Sequence, residues 1–317
     1  MIATIDLGGT RTKLGLVDEG AVVRALRCDA DAQGSLEDHL NEMLEHLRVL
    51  CAEEDMTLEA CDGIGLLSTG LVNSRDMRVL STNGKYDDAV GFDFPGWARR
   101  QTGLELRMEN DARGALIGEW RYGAGMGVDN LVMMTIGTGI GTAVISEGHP
   151  LTGPHFTGGN LGGHILVHSG GRKCTCGAVG CLESEASGWV LPTLIREHDR
   201  YRQSTLNGVV PVGFRDLMEH AEAGDVCAGD VLTHCLRIWG EALVSFIHCF
   251  DPERIIVGGG LMNDPEPVLR SFRTTVADLA WAKEGQVEIV KAAHPNHAGL
   301  VGSAALFCSK RPQPDPG

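Results

Sequence analysis

The sequence predicts an α/β fold with mixed sheets, divided between two domains. Three observations predict it. The chain opens with two apolar stretches joined by a glycine-rich turn, IATID and LGLV on either side of LGGTRTK, the pattern of a β-hairpin. A strand, a helix and another strand follow in succession, which calls for helices packed on a sheet. LVMMTIGTGIGTAVIS at 131–146 then repeats the opening design of strand, glycine-threonine turn and strand, so the first half of the chain has an echo in the second. At 317 residues there is enough chain for two cores.

The elements follow in order. AVVRALRC at 21–28 continues the sheet. Ser35 is placed to cap a helix, with Asp38 three residues on and Leu36, Leu40, Met43, Leu44, Leu47, Leu50 and Cys51 at helical spacing. GIGLLSTG at 63–70 has the character of a buried strand ending in a polar turn, and 71–100 of loops with a short hairpin. LELRM at 104–108 predicts a strand that delivers Glu109, Asn110 and Asp111, with a helix over 112–122. Gly123, Gly125 and Gly127 loosen the chain at a change of composition, where an interdomain crossing is expected. Past 146 the expectations are a helix from about Ser187, mostly helical structure over 188–230 and a long helix over 230–250. A strand at 254–261, a helix at 266–282, a strand at 286–290 and a final helix at 299–308 then close the fold.

Composition narrows the function. Hydrophobic residues make up 43 % and charged residues 22 %, an ordinary globular balance. No run approaches the roughly 18 apolar residues of a membrane span, and the first residues, MIATIDLGG, lack a basic segment followed by an apolar one. Neither a membrane partner nor export is expected, and a cytoplasmic setting follows. A net charge of −15 repels phosphate backbones and speaks against a nucleic-acid partner. Ten cysteines scattered without paired spacing suit a reducing compartment better than a disulfide framework.

Chemistry concentrates in two places. Asp111 stands at the carboxyl end of a predicted strand, where open α/β sheets bind ligands, so it is a candidate general base; an aspartate before an alanine-rich helix can equally be only its N-cap. In GGNLGGHILVHSGGRKCTCGAVGCLESEAS at 158–187, Cys174, Cys176 and Cys181 are spaced C-x-C-x4-C. Three thiolates lack one ligand for a closed tetrahedral Zn2+ site, and His164 can supply it. Three reduced cysteines beside a histidine, or one disulfide, are the alternatives. In the opening hairpin, Gly8, Gly9 and Thr10 are small enough to admit a phosphate to backbone N–H groups, with Lys13 adding charge, although an ordinary hairpin turn has the same composition.

The glycine-histidine pair, the string CxCGxxGCxE and the alanine-serine ending together resemble the signature of the ROK family, which groups bacterial sugar kinases with sugar-responsive repressors. D-x-G-G-T-x-x-K at 6–13 resembles the first phosphate motif of the actin-like ATPase fold, also called ribonuclease H-like. The resemblance implies two domains with a cleft between them: a small domain of 1–113 plus 298–317 and a large one of 114–297 bearing the zinc loop. It implies that Asp6 helps hold Mg2+ through water, that Gly8, Gly9, Thr10 and Lys13 meet the phosphates of ATP, and that Gly137, Thr138 and Gly139 form a second phosphate loop. Gly258, Gly259 and Gly260, which alone are only a glycine-rich strand end, resemble the adenosine motif. E-N-D-A at 109–112 resembles the catalytic tetrapeptide, which makes Asp111 the base for a sugar hydroxyl and Asn110 a sugar contact. Asn83, His164 and Glu183 are expected beside the sugar, and a homodimer is expected by family habit.

The implied activity is ATP-dependent phosphorylation of a hexose or hexose derivative, glucose-like first, with N-acetylglucosamine, N-acetylmannosamine, fructose and allose as other substrates. The rival readings are a sugar-responsive regulator and a sugar-binding protein without catalysis. The first phosphate motif begins at Asp6, with no room before it for a DNA-binding segment, so the kinase is favoured. One departure from the pattern stands out. The family's G-E-x-G-H is here Asn160, Leu161, Gly162, Gly163 and His164, so that Leu161 replaces a glutamate that accepts a hydrogen bond from the sugar, and Asn160 is a candidate to supply the acceptor instead.

Overall fold

The computed structural model of the chain describes residues 1–82, 84–281 and 287–308. Asn83, the expected start of the last strand at 286 and the proline-rich tail lie outside the described residues. The expected hairpin is β1 (Ile2–Leu7) with β2 (Arg11–Asp18), antiparallel, and β3 (Ala21–Asp29) pairs with β2. Helix α1 (Leu36–Ala52) begins as its cap predicts, the Ser35 hydroxyl accepting from Asp38 N at 3.3 Å, and every apolar position of the expected face is buried. Next come β4 (Ile64–Ser68) and a small hairpin of β5 (Leu71–Asn73) and β6 (Arg78–Ser81).

Helix α2 (Phe94–Thr102) occupies a stretch expected to be loop. Its proline and glycines suggest irregular chain, but each suits a helix end. Pro95 sits in the first turn, where a missing N–H costs nothing; Asp93 caps by accepting from Gly96 N at 3.0 Å; and Gly103, at φ 73°, closes the other end. Phe94 and Trp97 bury the inner face.

The strand β7 (Leu106–Asn110) leads into α3 (Asp111–Tyr122). The echo is β8 (Leu131–Ile136) with β9 (Ile140–Ser146), followed by the short β10 (His149–Pro150). No helix starts at Ser187. Instead α4 (Leu182–Ala186) ends there in extended backbone, and α5 (Leu191–Glu197) begins anew with Pro192 in its first turn. Helix α6 (Phe214–Glu222) is short, and α7 (Val226–Phe250) starts earlier than expected because Asp225 caps it, accepting from Ala228 N at 2.9 Å. β11 (Arg254–Gly258), α8 (Glu266–Leu279), β12 (Glu288–Lys291) and α9 (Ala298–Ala305) complete the described chain. Among the described residues no helix is long and apolar enough to cross a membrane.

The chain divides into two compact units. One comprises Met1–Val128, Pro150–Asn160 and His297–Gly317; the other, Asp129–His149 and Leu161–Asn296. The crossing thus falls just after the glycines at 123–127, not at 113, and all of α3 stays in the first unit. The first unit holds a five-stranded sheet in the order β3-β2-β1-β4-β7, with β1, β4 and β7 parallel. Ile5, Leu14 and Leu66 of this sheet form one core with Leu40, Met43 and Leu47 of α1, each buried side chain contributing about 1.5–3 kcal/mol. α9 returns to this unit and packs on α3 so closely that a Cβ on Gly118 would lie 2.7 Å from Gly302 N. The second sheet runs β10-β9-β8-β11-β12, with β8 and β9 antiparallel and β8, β11 and β12 parallel. Trp239 of α7, edge-on to Phe214 and Phe272, anchors that unit's helices.

Candidate active site

In the first unit, three strand ends converge on chemistry. Asp6, near the end of β1, stands opposite Lys13 across the hairpin, with Lys13 Nζ 4.0 Å from its Oδ2. Burial raises the Asp6 carboxyl above its ordinary range, and Lys13 partly offsets this. At the end of β7, Asn110 is the N-cap of α3, its Oδ1 accepting from Arg113 N at 3.1 Å. The capping alternative for Asp111 is thereby removed. Asp111 Oδ1 instead accepts from Ala112 N at 2.8 Å and from Asn110 Nδ2 at 2.9 Å.

Asp111 keeps some surface open, yet densely packed protein strips most of its water. Desolvation first, then repulsion from Asp6, push its carboxyl up to about 6, against the lowering pull of Ala112 N, Asn110 and Lys85. A carboxylate poised there is ionised at neutral pH and still basic enough to take a proton from a hydroxyl as it attacks. Asn110 also donates to Gly70 O at 2.9 Å, so both its amide protons are used within the protein.

Glu109, expected at the strand end without a role, and Arg113, which the sequence pattern does not single out, hold this arrangement. Arg113 and Glu109, both buried, pair at 2.7 Å; Glu109 also accepts from Asn110 N at 2.7 Å. Arg113 Nη2 donates to Phe156 O at 3.2 Å and Gly158 O at 3.0 Å, tying the segment before Asn160 to the start of α3. Glu109 belongs to β7 and Arg113 to the first turn of α3, so they meet across the strand-to-helix turn and no helix-face spacing announces the pair. Asn160 is 9 % exposed, and its Oδ1 is buried with no hydrogen-bond partner among the described residues. Its neighbour Leu161 is 40 % exposed.

The turn at Gly8, Gly9 and Thr10 joins β1 to β2, with Gly8 N donating to Asp6 O at 3.0 Å. In the second unit, Gly137, Thr138 and Gly139 make the corresponding turn. Gly188 N and Trp189 N, both at 2.9 Å, donate to the carbonyls of Gly137 and Thr138. Glu183 Oε2 accepts from Ile140 N at 3.0 Å, so this expected sugar contact lies against the second hairpin.

His164, Cys174, Cys176 and Cys181 come together with their ligand atoms all within 4.8 Å of one another. Cys174 Sγ is 3.5 Å from His164 Nδ1, and Cys176 Sγ is 3.6 Å from Cys181 Sγ. All ten cysteines are free, so no disulfide closes the loop. The backbone N–H of Ala178 lowers the Cys176 thiol, which favours the thiolate a metal needs. Gly258 ends β11, and Gly259 turns the chain at φ 96°, so near β8 that a Cβ would strike the carbonyl of Ile136. Gly260 is open, and with Arg215, Met218, Glu219, Glu222, Leu261 and Asp264 it lines a cavity of about 470 Å³.

Fold and site define a family. The chain belongs to the ROK family, whose profile matches residues 2–310. Among its relatives is the glucokinase of Thermotoga maritima, 30 % identical over 315 residues and covering 96 % of each chain. A ROK family glucokinase from Streptomyces griseus, solved with glucose and AMPPNP, superposes with a TM-score of 0.79 at 27 % identity over 96 % of this chain and 98 % of that one. A ROK family transcriptional regulator homologous to the E. coli MLC protein superposes with a TM-score of 0.81 at 26 % identity, covering 96 % of this chain but 77 % of that one. Kinases and regulators thus fit the fold equally well, and the residues of the site must separate them.

Proposed function

We propose that this ROK chain is an ATP-dependent sugar kinase that phosphorylates a hydroxyl of a hexose or hexose derivative. The observation that carries this reading is Asp111, relieved of the capping role by Asn110 at the start of α3, with a carboxyl pushed up to about 6. A regulator needs to bind a sugar but has no use for a base. In the reaction, the sugar oxygen attacks the terminal phosphorus while its proton passes to Asp111, and the bond to the ADP oxygen breaks with its electron pair leaving on ADP. Phosphoryl transfer asks for positioning and charge neutralisation more than covalent help. Gly8, Gly9, Thr10 and Lys13, and Gly137, Thr138 and Gly139, are the phosphate-facing residues of this reading. Gly258, Gly259 and Gly260, beside the cavity, take the nucleoside.

Asp6 offers the hard oxygen ligand that Mg2+ prefers; bound there through water, that ion would supply charge neutralisation to the phosphates. The three thiols and one imidazole at mutual distances under 4.8 Å suit Zn2+, and four protein ligands leave no open position. His164, Cys174, Cys176 and Cys181 would then brace the loop structurally, and His164, whose Nδ1 faces Cys174, would keep Nε2 for a substrate hydroxyl. Asn110, through the remaining lone pair of its Oδ1, with Asn160, Glu183 and Asn83, completes the proposed sugar contacts. The reading includes a cytoplasmic homodimer with no nucleic-acid or membrane partner.

A coupled ADP-release screen over hexoses, ketohexoses and N-acylated amino sugars tests it. Sugar-dependent ADP formation is expected; sugar binding without ADP release would overturn the kinase in favour of a sensor.

A further inference from the structure

The segment between β6 and α2 carries a lysine that nothing in the sequence singles out. A Cβ on Gly9 would overlap the Cδ, Cε and Nζ atoms of Lys85, so the lysine's amine rests on the backbone of the first glycine hairpin. The segment is built to hold it there. Gln33 Nε2 donates to Gly84 O at 2.7 Å on one side of Lys85, and Tyr86 N donates to Ala32 O at 2.8 Å on the other. Tyr86 is buried at φ 54°, stacks on His39 with ring centroids 6.0 Å apart, and donates its hydroxyl to Gly8 O at 3.3 Å.

Charge sharpens the point. Lys13, the cation expected at this hairpin, is already paired with Asp6 at 4.0 Å. Among the described residues no carboxylate comes within 4.0 Å of the Lys85 amine. A cation held on a phosphate-type hairpin without a counter-ion is completed by an arriving anion. It also lies near enough to Asp111 to favour that residue's ionised form.

We propose that Lys85 is a catalytic residue whose ammonium contacts the transferred phosphoryl group over Gly9. It offsets the negative charge on that group as the bond to ADP breaks and the bond to the sugar oxygen forms, staying protonated throughout while Asp111 takes the hydroxyl proton. This rests on the reading that the Gly8–Thr10 hairpin receives the donor's phosphates.

The test compares the full-length, metal-replete wild type with Lys85→Met and Lys85→Arg. Calorimetric titration with Mg2+ and the imido analogue of ATP, and separately with Mg2+ and ADP, reads which phosphate the lysine meets. Lys85→Met is expected to weaken the triphosphate analogue by about 10- to 100-fold while changing ADP less than about 3-fold, with Lys85→Arg recovering most of the loss. On a sugar that the wild type phosphorylates, kcat should fall at least about 10-fold, and the acid limb of kcat/KM should move to higher pH. The charged groups facing Asp111 are Asp6 from β1 and Lys85 itself, so removing the cation leaves only the repulsive partner. Equal losses for ADP and the analogue, or analogue affinity within about 2-fold of wild type, would overturn the proposal. If the wild type phosphorylates no sugar but Lys85→Met still loses the triphosphate selectively, the sugar-kinase reading fails and the contact of Lys85 with the terminal phosphate stands, without its catalytic role toward a sugar. If sugars are phosphorylated and the variant is unaffected, the reverse holds.

Discussion

The two glycine hairpins sit at matching places in sheets of the same strand order, yet they differ in kind. In the first, Asp6 faces Lys13, Lys85 overlies Gly9, and Asp111 lies nearby at the start of α3. In the second, Thr135 takes the place of Asp6 and faces Gly141, and the turn's carbonyls are tied down by Gly188 and Trp189. One duplicated scaffold thus carries a copy with charged residues on the hairpin itself and a copy whose own turn residues are neutral, held by backbone bonds and by Glu183 at Ile140 N. Repeating a fold does not repeat its chemistry, because strand pairing is set by backbone while reactivity needs only a few side chains at strand ends.

The harshest way to break this contrast is to neutralise the charged copy. Asp111→Asn keeps size and can keep both hydrogen bonds to Oδ1 but cannot accept a proton, so turnover should fall by roughly 10²- to 10⁴-fold with sugar binding largely intact. More than about a tenth of wild-type turnover remaining would exclude Asp111 as the base. Wild-type kcat/KM should in turn decline as the pH drops through about 6, where the carboxylate is protonated.

The neutral copy is attacked through its neighbouring loop. The purified protein should contain about one zinc per chain by elemental analysis, and Cys176→Ser should lose it. Sugar affinity is then expected to collapse before nucleotide affinity. The opposite order would show that the loop serves the nucleotide.

Leu161→Glu is a milder change. An unpaired buried hydroxyl costs about 1–3 kcal/mol, so restoring a carboxylate acceptor should reorder kcat/KM across the sugar panel while KM for ATP stays nearly constant. An unchanged ranking would remove Leu161 from substrate selection and leave the buried Asn160 Oδ1 as the stronger candidate acceptor.

The smallest effect expected is on stability. Because the folded Asp111 carboxyl is raised from 3.8 to about 6, the native state holds more protons than the unfolded state in that window, and stability falls as pH rises through it. Above the window the wild type bears the full cost of an ionised, poorly hydrated group. At pH 8, Asp111→Asn should therefore be more stable by on the order of 1–2 kcal/mol, the gap closing below about pH 4. A variant that melts below wild type at pH 8 would contradict this sign.

Much of this was legible in the sequence because it depends on local pattern. Apolar runs broken by glycine reveal both hairpins, Ser35 and Asp38 announce α1, and C-x-C-x4-C announces the cysteine cluster. What escaped depends on contacts distant in sequence or on residues with two meanings. Lys85 acquires significance only when Tyr86 reaches back to Gly8, and Arg113 only when it meets the carbonyls of Phe156 and Gly158. Helix α2 was obscured because Pro95 and Gly103 signal a helix's ends as readily as a loop.

The stitching of the first unit from three separated stretches has a consequence for the order in which the protein takes shape. The second unit lies almost wholly within one stretch of chain and needs nothing beyond Asn296 to close. The first must wait: β1 and β2 leave the ribosome early, but Leu300 and Ala304 of α9, which join Val17 in a buried cluster, come nearly three hundred residues later. Until they arrive β1 and β2 lack the cover of α9 on that side of the sheet, and such late closure favours partly formed intermediates. The half that holds Asp6, Lys85 and Asp111 is therefore the last to be finished.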